Sequence, residues 1–511
     1  MSPTDLTAFL EDAAHFPGGH AAGIVFPRTT DEVADAVASA TSILPIGAQS
    51  SLTGGATPMG EVILATTRMA AVLSESPDTI TVQAGITIGE MQEHLAQRGA
   101  WFPPAPTFTG ACAAGTVATN AAGAATFKYG STRNWVDALA VVLADGSLVR
   151  LRRNEVTASN GRLTIGGREV PVPSYRMPDV AKVSAGYYAA PAMDAVDLFI
   201  GSEGTLGVIV EVTFRVVTAA PGLALAMIPC RSEEQAFRIT RALRDASIAT
   251  RTRRDPDGID AAAIENIDRR SIEILIEDGA AAREHVAVPR DTQMALFVQL
   301  ELPRDVDTER AYQQIGSAGD AGTSSSALGR FCALLAEEDL LDATVMAMPG
   351  EARRRHQLAA VREAVPSGVN HRIGLAQRTI DSRITKTAGD MIVPFERFGE
   401  INAIYRRGFE SRDLDYAIWG HISDGNVHPN VIPRSYDDVS RGRDAILEFG
   451  REVARLRGCP LAEHGVGRNA LKQGLLRQLY GNDGIDQMRA VKHALDPQGK
   501  FSPGVIFPAI E

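Results

Sequence analysis

The stretch Trp101–Tyr129, WFPPAPTFTGACAAGTVATNAAGAATFKY, constrains this chain more than any other: it carries no charged residue between Trp101 and Lys128. It is built almost wholly from Gly, Ala, Thr and Pro, with one amide at Asn120. Small residues let backbone approach a large ligand, and glycine reaches conformations closed to other residues. Successive bare N–H groups can cradle a pyrophosphate or face a planar ring. The same composition suits a flexible linker or a tightly packed small-residue helix, and these residues alone leave the three open. A membrane span is excluded, because prolines, threonines and the asparagine interrupt the apolar run.

The 511 residues have room for roughly two to four domains. Hydrophobic content of 45% and charged content of 22% are those of a globular protein. A net charge of −11 argues against nucleic acid and leaves no basic membrane patch. MSPTDLTAFLEDAAHF has neither a basic region nor an apolar core, so a cytoplasmic protein is expected. Cys112, Cys230, Cys332 and Cys459 lie far apart with no CxxC, which excludes a disulfide framework and a local iron–sulfur ligand set.

Thr29 with Glu32, and Thr87 with Glu90, have capping-box spacing before helices ending near Ala40 and Gly99. ILPIG, GEVILATT and DTITVQAG read as strands, so the first hundred residues form a βαβ-type unit. ILPIG runs into GAQSSLTGGATP, a phosphate-cradle turn in form. WVDALAVVLADGSLVRLRR is a hairpin turning at Asp145-Gly146. Residues 150–195 read as irregular, and DLFIGSEGTLGVIVEVTFRVV as strand, glycine turn and half-buried strand. Past Ala219–Pro221 the chain reads as a second α+β domain, with SAGDAGTSSSALG a loop or mobile connector. Asp496-Pro497 stops the last helix.

DYAIWGHISDGNVHPNVIP is apolar strand, Asp-Gly, apolar strand. If Asp424-Gly425 is a two-residue turn, His421 faces His428, with Cβ atoms roughly 4.5–5.5 Å apart. That geometry suits two imidazoles sharing one divalent ion, or two surface histidines. Glu463-His464 in LAEHGVG offers a third ligand and a spare imidazole. Three of the chain's 10 histidines fall in these two segments.

With these pieces in hand, the chain resembles, nearly end to end, the FAD-linked oxidases related to D-lactate dehydrogenase, the glycolate oxidase flavin subunit and D-2-hydroxyglutarate dehydrogenase. PIGAQSSLTGGATP, GTVATNAAGAATFKYGSTRNWVDALAVVLADG and DLFIGSEGTLGVI resemble three FAD loops. GHISDGNVHPN, AEHGVG and KHALDPQGKFSPGVIF resemble C-terminal signatures in the same order.

The resemblance implies an α+β fold: a two-part FAD-binding domain of the vanillyl-alcohol-oxidase type at 1–218, an α+β cap at 219–459, and a segment 460–511 returning to the FAD domain. FAD would be held by Pro45, Gly47, Ala48, Gln49, Ser50, Ser51 and Leu52 in the first loop. Pro106, Thr107, Gly110, Gly115, Thr116, Thr119, Asn120, Gly123, Tyr129 and Gly130 would follow, then Glu203, Gly204, Gly207 and Ile209. No histidine in the first loop implies non-covalent FAD. His421, His428 and Glu463 match the ligands of a divalent metal (Zn or Mn, with Fe the further option), and His464 a general base. Asn430 and Arg362 match substrate-binding positions, Arg362 as carboxylate clamp; Lys386 is the candidate substrate lysine, standing four residues before Asp390 where relatives place it two before. The implied activity is hydride removal from a D-2-hydroxy acid, with a quinone, cytochrome, electron-transfer flavoprotein or oxygen as electron acceptor. The alternatives are an oxidase or transferase of another alcohol, and a flavin subunit of a larger complex. Oligomeric state stays open, a homodimer included.

Overall fold

The structure, a computed structural model, describes residues 4–104, 108–218, 220–316 and 326–508. Most of the connector SAGDAGTSSSALG therefore lies outside the described residues, while Ala327 opens a helix capped by Ser326. The chain divides into two units. The first comprises Met1–Gly123, Tyr129–Thr218 and Arg457–Glu511, and the second Ala124–Lys128 and Ala219–Leu456.

In the first unit, three short parallel strands lie in the order Gly23–Val25, Val62–Ala65, Ile43–Ile46. The helix Thr30–Ser39 connects two of them, its first turn held by Thr29, whose hydroxyl accepts from the Glu32 N–H. Val33 and Val37, one helical turn apart, are fully buried against this layer. The strand Thr79–Gln83 does not join these three. It pairs antiparallel with Val208–Arg215 in a five-stranded sheet. The helix Ile88–Ala96 starts at a complete Thr87–Glu90 capping box.

Three local readings change. Val208–Arg215 is the central strand of its sheet and both its faces are buried, Ile209 at 6% exposure as well as Val210 at 0%. Residues 150–195 are not wholly irregular, because Arg162–Ile165 and Arg168–Pro171 form a hairpin. The segment before GSEGTLG is a helix, Ala195–Phe199, rather than a strand. Asp194 accepts from the Val196 N–H, and that cap outweighs the apolar run.

The second unit is built on a seven-stranded antiparallel sheet. Its order is 345–347, 222–230, 294–302, 261–267, 415–421, 426–432 and 391–392. The helix Ala352–Thr379 lays Leu358, Val361, Val365, Val369 and Ile373 on the core, three to four residues apart. Lys128 belongs here because its ammonium pairs with Asp260 and Glu301. Among the described residues no helix is long and apolar enough to cross a membrane.

Candidate active site

The first unit gathers the glycine-rich loops. The Glu203 N–H donates to the Ala118 carbonyl, and the Gly201 N–H to Val117. The Arg468 N–H donates to the Thr53 carbonyl. Each of the three loops holds one non-glycine residue in the left-handed region: Gln49 at φ 50°, Asn120 at 48° and Glu203 at 50°. Such residues each cost about 1–3 kcal/mol and persist only when surrounding structure holds them. The holding groups are their own side chains. Gln49 donates from Nε2 to the carbonyls of Phe9 and Ala56. Asn120 donates to Val183 and accepts from the Arg133 N–H. The Glu203 carboxylate accepts from the N–H groups of Val466 and Gly467, both at 2.8 Å, and burial pushes its pKa up to about 7. These three side chains brace the loops and leave backbone to face a ligand.

Trp101–Tyr129 contains a short helix, Ala113–Ala118, so the packed small-residue reading holds for that part. Ala113, Thr116 and Val117 are buried, yet a Cβ added to Gly115 would meet nothing within 4 Å. That bare, open face is a surface a planar ring can approach, so the residues present fit FAD. The hydroxyls of Thr116 and Thr119 bond back to Ala113 and Gly115 within the helix. Ala48, Ser50 and Leu52 are exposed, Gly47 and Ser51 half-buried, and Pro45 sits on the preceding strand. The Tyr129 ring stands edge-on to Trp101 at 5.4 Å. Gly110, Gly123, Gly130 and Gly204 are half-buried, and Gly207 and Ile209 buried. Pro106 and Thr107 lie outside the described residues.

In the second unit the hairpin register differs from expectation by two residues. His421 pairs with Asn426, and Trp419 with His428. The turn uses four residues rather than two: Ile422–Asp424 form a 3-10 turn, closed by Gly425 at φ 82°. His421 and His428 are therefore diagonal neighbours on one sheet face instead of directly opposed. Their ring centroids are 5.8 Å apart and a ring nitrogen of each lies within 4.8 Å of the other's. Both are buried, at 3% and 7% exposure. Nδ1 of His421 lies 2.9 Å from Glu265 Oε1, and Nδ1 of His428 lies 3.5 Å from Asp390 Oδ1.

Arg362, on the long helix, places Nε and Nη2 on the two Glu265 oxygens at 2.8 and 2.7 Å, and Nη1 on Glu363 at 2.5 Å. Burial works against ionisation of Glu265, but Arg362 and His421 outweigh it and hold its pKa down to about 2. Asn430 donates to the His428 carbonyl, while its Oδ1 is buried with no hydrogen-bond partner among the described residues. Lys386 is exposed on a loop.

Glu463 and His464 belong to the first unit. Glu463 accepts at 3.0 Å from Lys182, whose side chain has no exposure, and His464 Nε2 lies 3.6 Å from Glu463 Oε1. Glu265 and Lys182 are the residues that reading the sequence missed. The available signals were a lone acid inside the apolar strand AAAIENI and one of only six lysines in the chain.

Strained glycine-rich loops in one unit and paired, buried histidines in the other suit a cofactor-dependent enzyme. The comparisons with known proteins agree. Residues 21–152 match the FAD binding domain, and residues 225–506, more than half the chain, match the C-terminal domain of FAD linked oxidases. The chain belongs to the FAD-linked oxidase family and is a flavoenzyme. It is 26% identical to D-2-hydroxyglutarate dehydrogenase of Xanthomonas citri pv. viticola, over 99% of this chain and 93% of that one. It is 27% identical to glycolate oxidase subunit GlcD of Bacillus subtilis (95% and 88%) and 24% to D-lactate dehydrogenase of Anaerostipes hadrus (94% and 89%). Among solved structures, alkyldihydroxyacetonephosphate synthase shares the fold with a TM-score of 0.56 at 14% identity, over 94% of this chain and 75% of that one.

Proposed function

We propose that this enzyme removes hydride from a D-2-hydroxy acid of the D-lactate type, giving the 2-oxo acid, with a divalent metal orienting the substrate. One observation carries the metal: two buried hairpin imidazoles bring a ring nitrogen of each within 4.8 Å of the other's, and Nδ1 of His421 lies 2.9 Å from the Glu265 carboxylate. Metal-binding histidines are typically fixed in this way, with the second nitrogen left for the ion. His421 and His428 are the proposed ligands, with Glu463 as the third from the order of the sequence motifs. Zinc, manganese and iron all accept such a donor set.

Bound FAD supplies a hydride acceptor, and the ion supplies positive charge at the substrate's hydroxyl and carboxylate oxygens. Arg362 offers its Nη1–Nη2 edge to the carboxylate in place of Glu363. Asn430, with its buried Oδ1, lines the proposed substrate site, and Lys386 adds positive charge. His464 takes the hydroxyl proton on a ring nitrogen, a role typically worth ~10²–10⁴-fold. The relatives' names agree on 2-hydroxy acids and leave the particular acid and the electron acceptor open.

Anaerobic mixing with a panel of D- and L-2-hydroxy acids tests the reading. D-acids are expected to bleach the flavin while their L-enantiomers do not. Bleaching by simple alcohols alone would replace this reading with the second one, an oxidase or transferase of another alcohol. That second reading has one observation in its favour, since Nε, Nη1 and Nη2 of Arg362 all meet carboxylates of the chain itself. Turnover of the isolated protein with an artificial acceptor separates both from a flavin subunit that acts only in a complex.

The flavin is proposed to be non-covalent, as no histidine stands in PIGAQSS. Acid precipitation should leave FAD in the supernatant, and yellow pellets would contradict it.

A further inference from the structure

Glu265 sits on a strand, Ala261–Ile267, whose seven residues are all buried. A charge there is unfavourable unless paired. Replacing a buried ion pair with apolar residues is often neutral or stabilising, so the pair gains the core little by itself. What distinguishes Glu265 is that it serves two proposed functional groups at once. Oε1 lies 2.7 Å from Arg362 Nη2 and 2.9 Å from His421 Nδ1, and Oε2 lies 2.8 Å from Arg362 Nε.

We infer that Glu265 is a positioning residue that sets the carboxylate clamp and the first metal-binding histidine together. The inference rests on the metal reading above. On this reading the Glu265 carboxylate, 2.9 Å away, accepts from Nδ1 of His421 and so selects the Nδ1-protonated tautomer. That tautomer leaves the Nε2 lone pair for an ion. The same carboxylate occupies the Nε–Nη2 edge of Arg362 and fixes the plane of the guanidinium, so substrate need displace only Glu363 from Nη1 to reach the Nη1–Nη2 edge. Clamp and ligand thereby share one reference point, and the distance between substrate carboxylate and metal is set by a single side chain.

The test uses holoenzyme stripped of metal and titrated with Mn²⁺, with FAD content measured alongside. Glu265→Ala is expected to keep FAD, weaken Mn²⁺ binding by about 10–100-fold and raise KM for the D-acid. Glu265→Gln should fall between Glu265→Ala and the parent. Its one carbonyl can still serve Nη2 and Nδ1, but it sets an amide N–H against Nε of Arg362. In a His421→Ala background, Glu265→Ala should weaken Mn²⁺ binding no further. Parent-like Mn²⁺ affinity in Glu265→Ala, or full additivity in the double variant, would overturn the assignment. Should Glu265→Ala fail to fold, ¹⁵N spectra of histidine-labelled parent decide: a proton on Nδ1 of His421 is expected, and one on Nε2 overturns it. A parent that turns over while binding neither Mn²⁺ nor Zn²⁺ would instead overturn the metal reading itself, and this inference with it.

Discussion

Replacing His421 with alanine is expected to abolish oxidation of the hydroxy acid while FAD remains at one per chain. Losing an outer partner of a metal ligand typically costs 10–100-fold, so losing the ligand itself should cost more than ~100-fold in turnover. The glycine-rich loops belong to the first unit and His421 to the second, so FAD binding should survive the change. Glu463→Gln is the companion variant, better suited than alanine. An amide oxygen can still accept from the buried Lys182, which alanine cannot, although it no longer balances the lysine's charge. Steady-state turnover with an artificial acceptor, beside the absorbance of bound flavin, checks both. Near-parental turnover in either would remove that residue from the metal set.

Arg362→Ala should affect stability and saturation together. It leaves Glu265, at 7% exposure, without the fork that neutralises it. Breaking a buried pair from one side costs about 3–5 kcal/mol, measurable by urea unfolding. Arg362→Lys should recover little, because a point charge cannot match two oxygens at once. The paired replacement Arg362→Met with Glu265→Leu separates the two roles. It is expected to regain most of the stability, since an apolar pair of similar volume suits the core, and none of the saturation by a 2-hydroxy acid. If the pair restored KM as well, Arg362 would be a structural residue and the substrate carboxylate would be held elsewhere.

Local chemistry made much of this molecule legible from sequence. Thr29 and Thr87 carry their helix starts in a four-residue span, and the hairpin does turn at Asp145-Gly146, with Ala144 and Asp145 at the centre and Gly146 closing it at φ 83°. Six motifs in order identified the family, because backbone close to a cofactor must be glycine-rich in fixed places. The failures are equally physical. Asp424-Gly425 is a strong two-residue turn signal, but only Gly425 takes the left-handed conformation, and Ser423 and Asp424 belong to a 3-10 turn. The register slipped by two, which preserved the face and so kept His421 and His428 together. DLFI has the composition of a strand, but the Asp194 cap three residues upstream makes it helical. Glu265 and Lys182 were invisible for another reason. Their partners stand 97 and 281 residues away, and no local pattern announces a pairing made only by the fold.

The central claim is that oxidation requires both FAD and one divalent ion, and elemental analysis of protein assayed at full turnover tests it most directly. The account predicts one equivalent of zinc, manganese or iron beside one FAD per chain. Activity should be lost on prolonged chelation and return with added Zn²⁺ or Mn²⁺. Undiminished oxidation of a D-2-hydroxy acid by protein shown to be free of metal would contradict it.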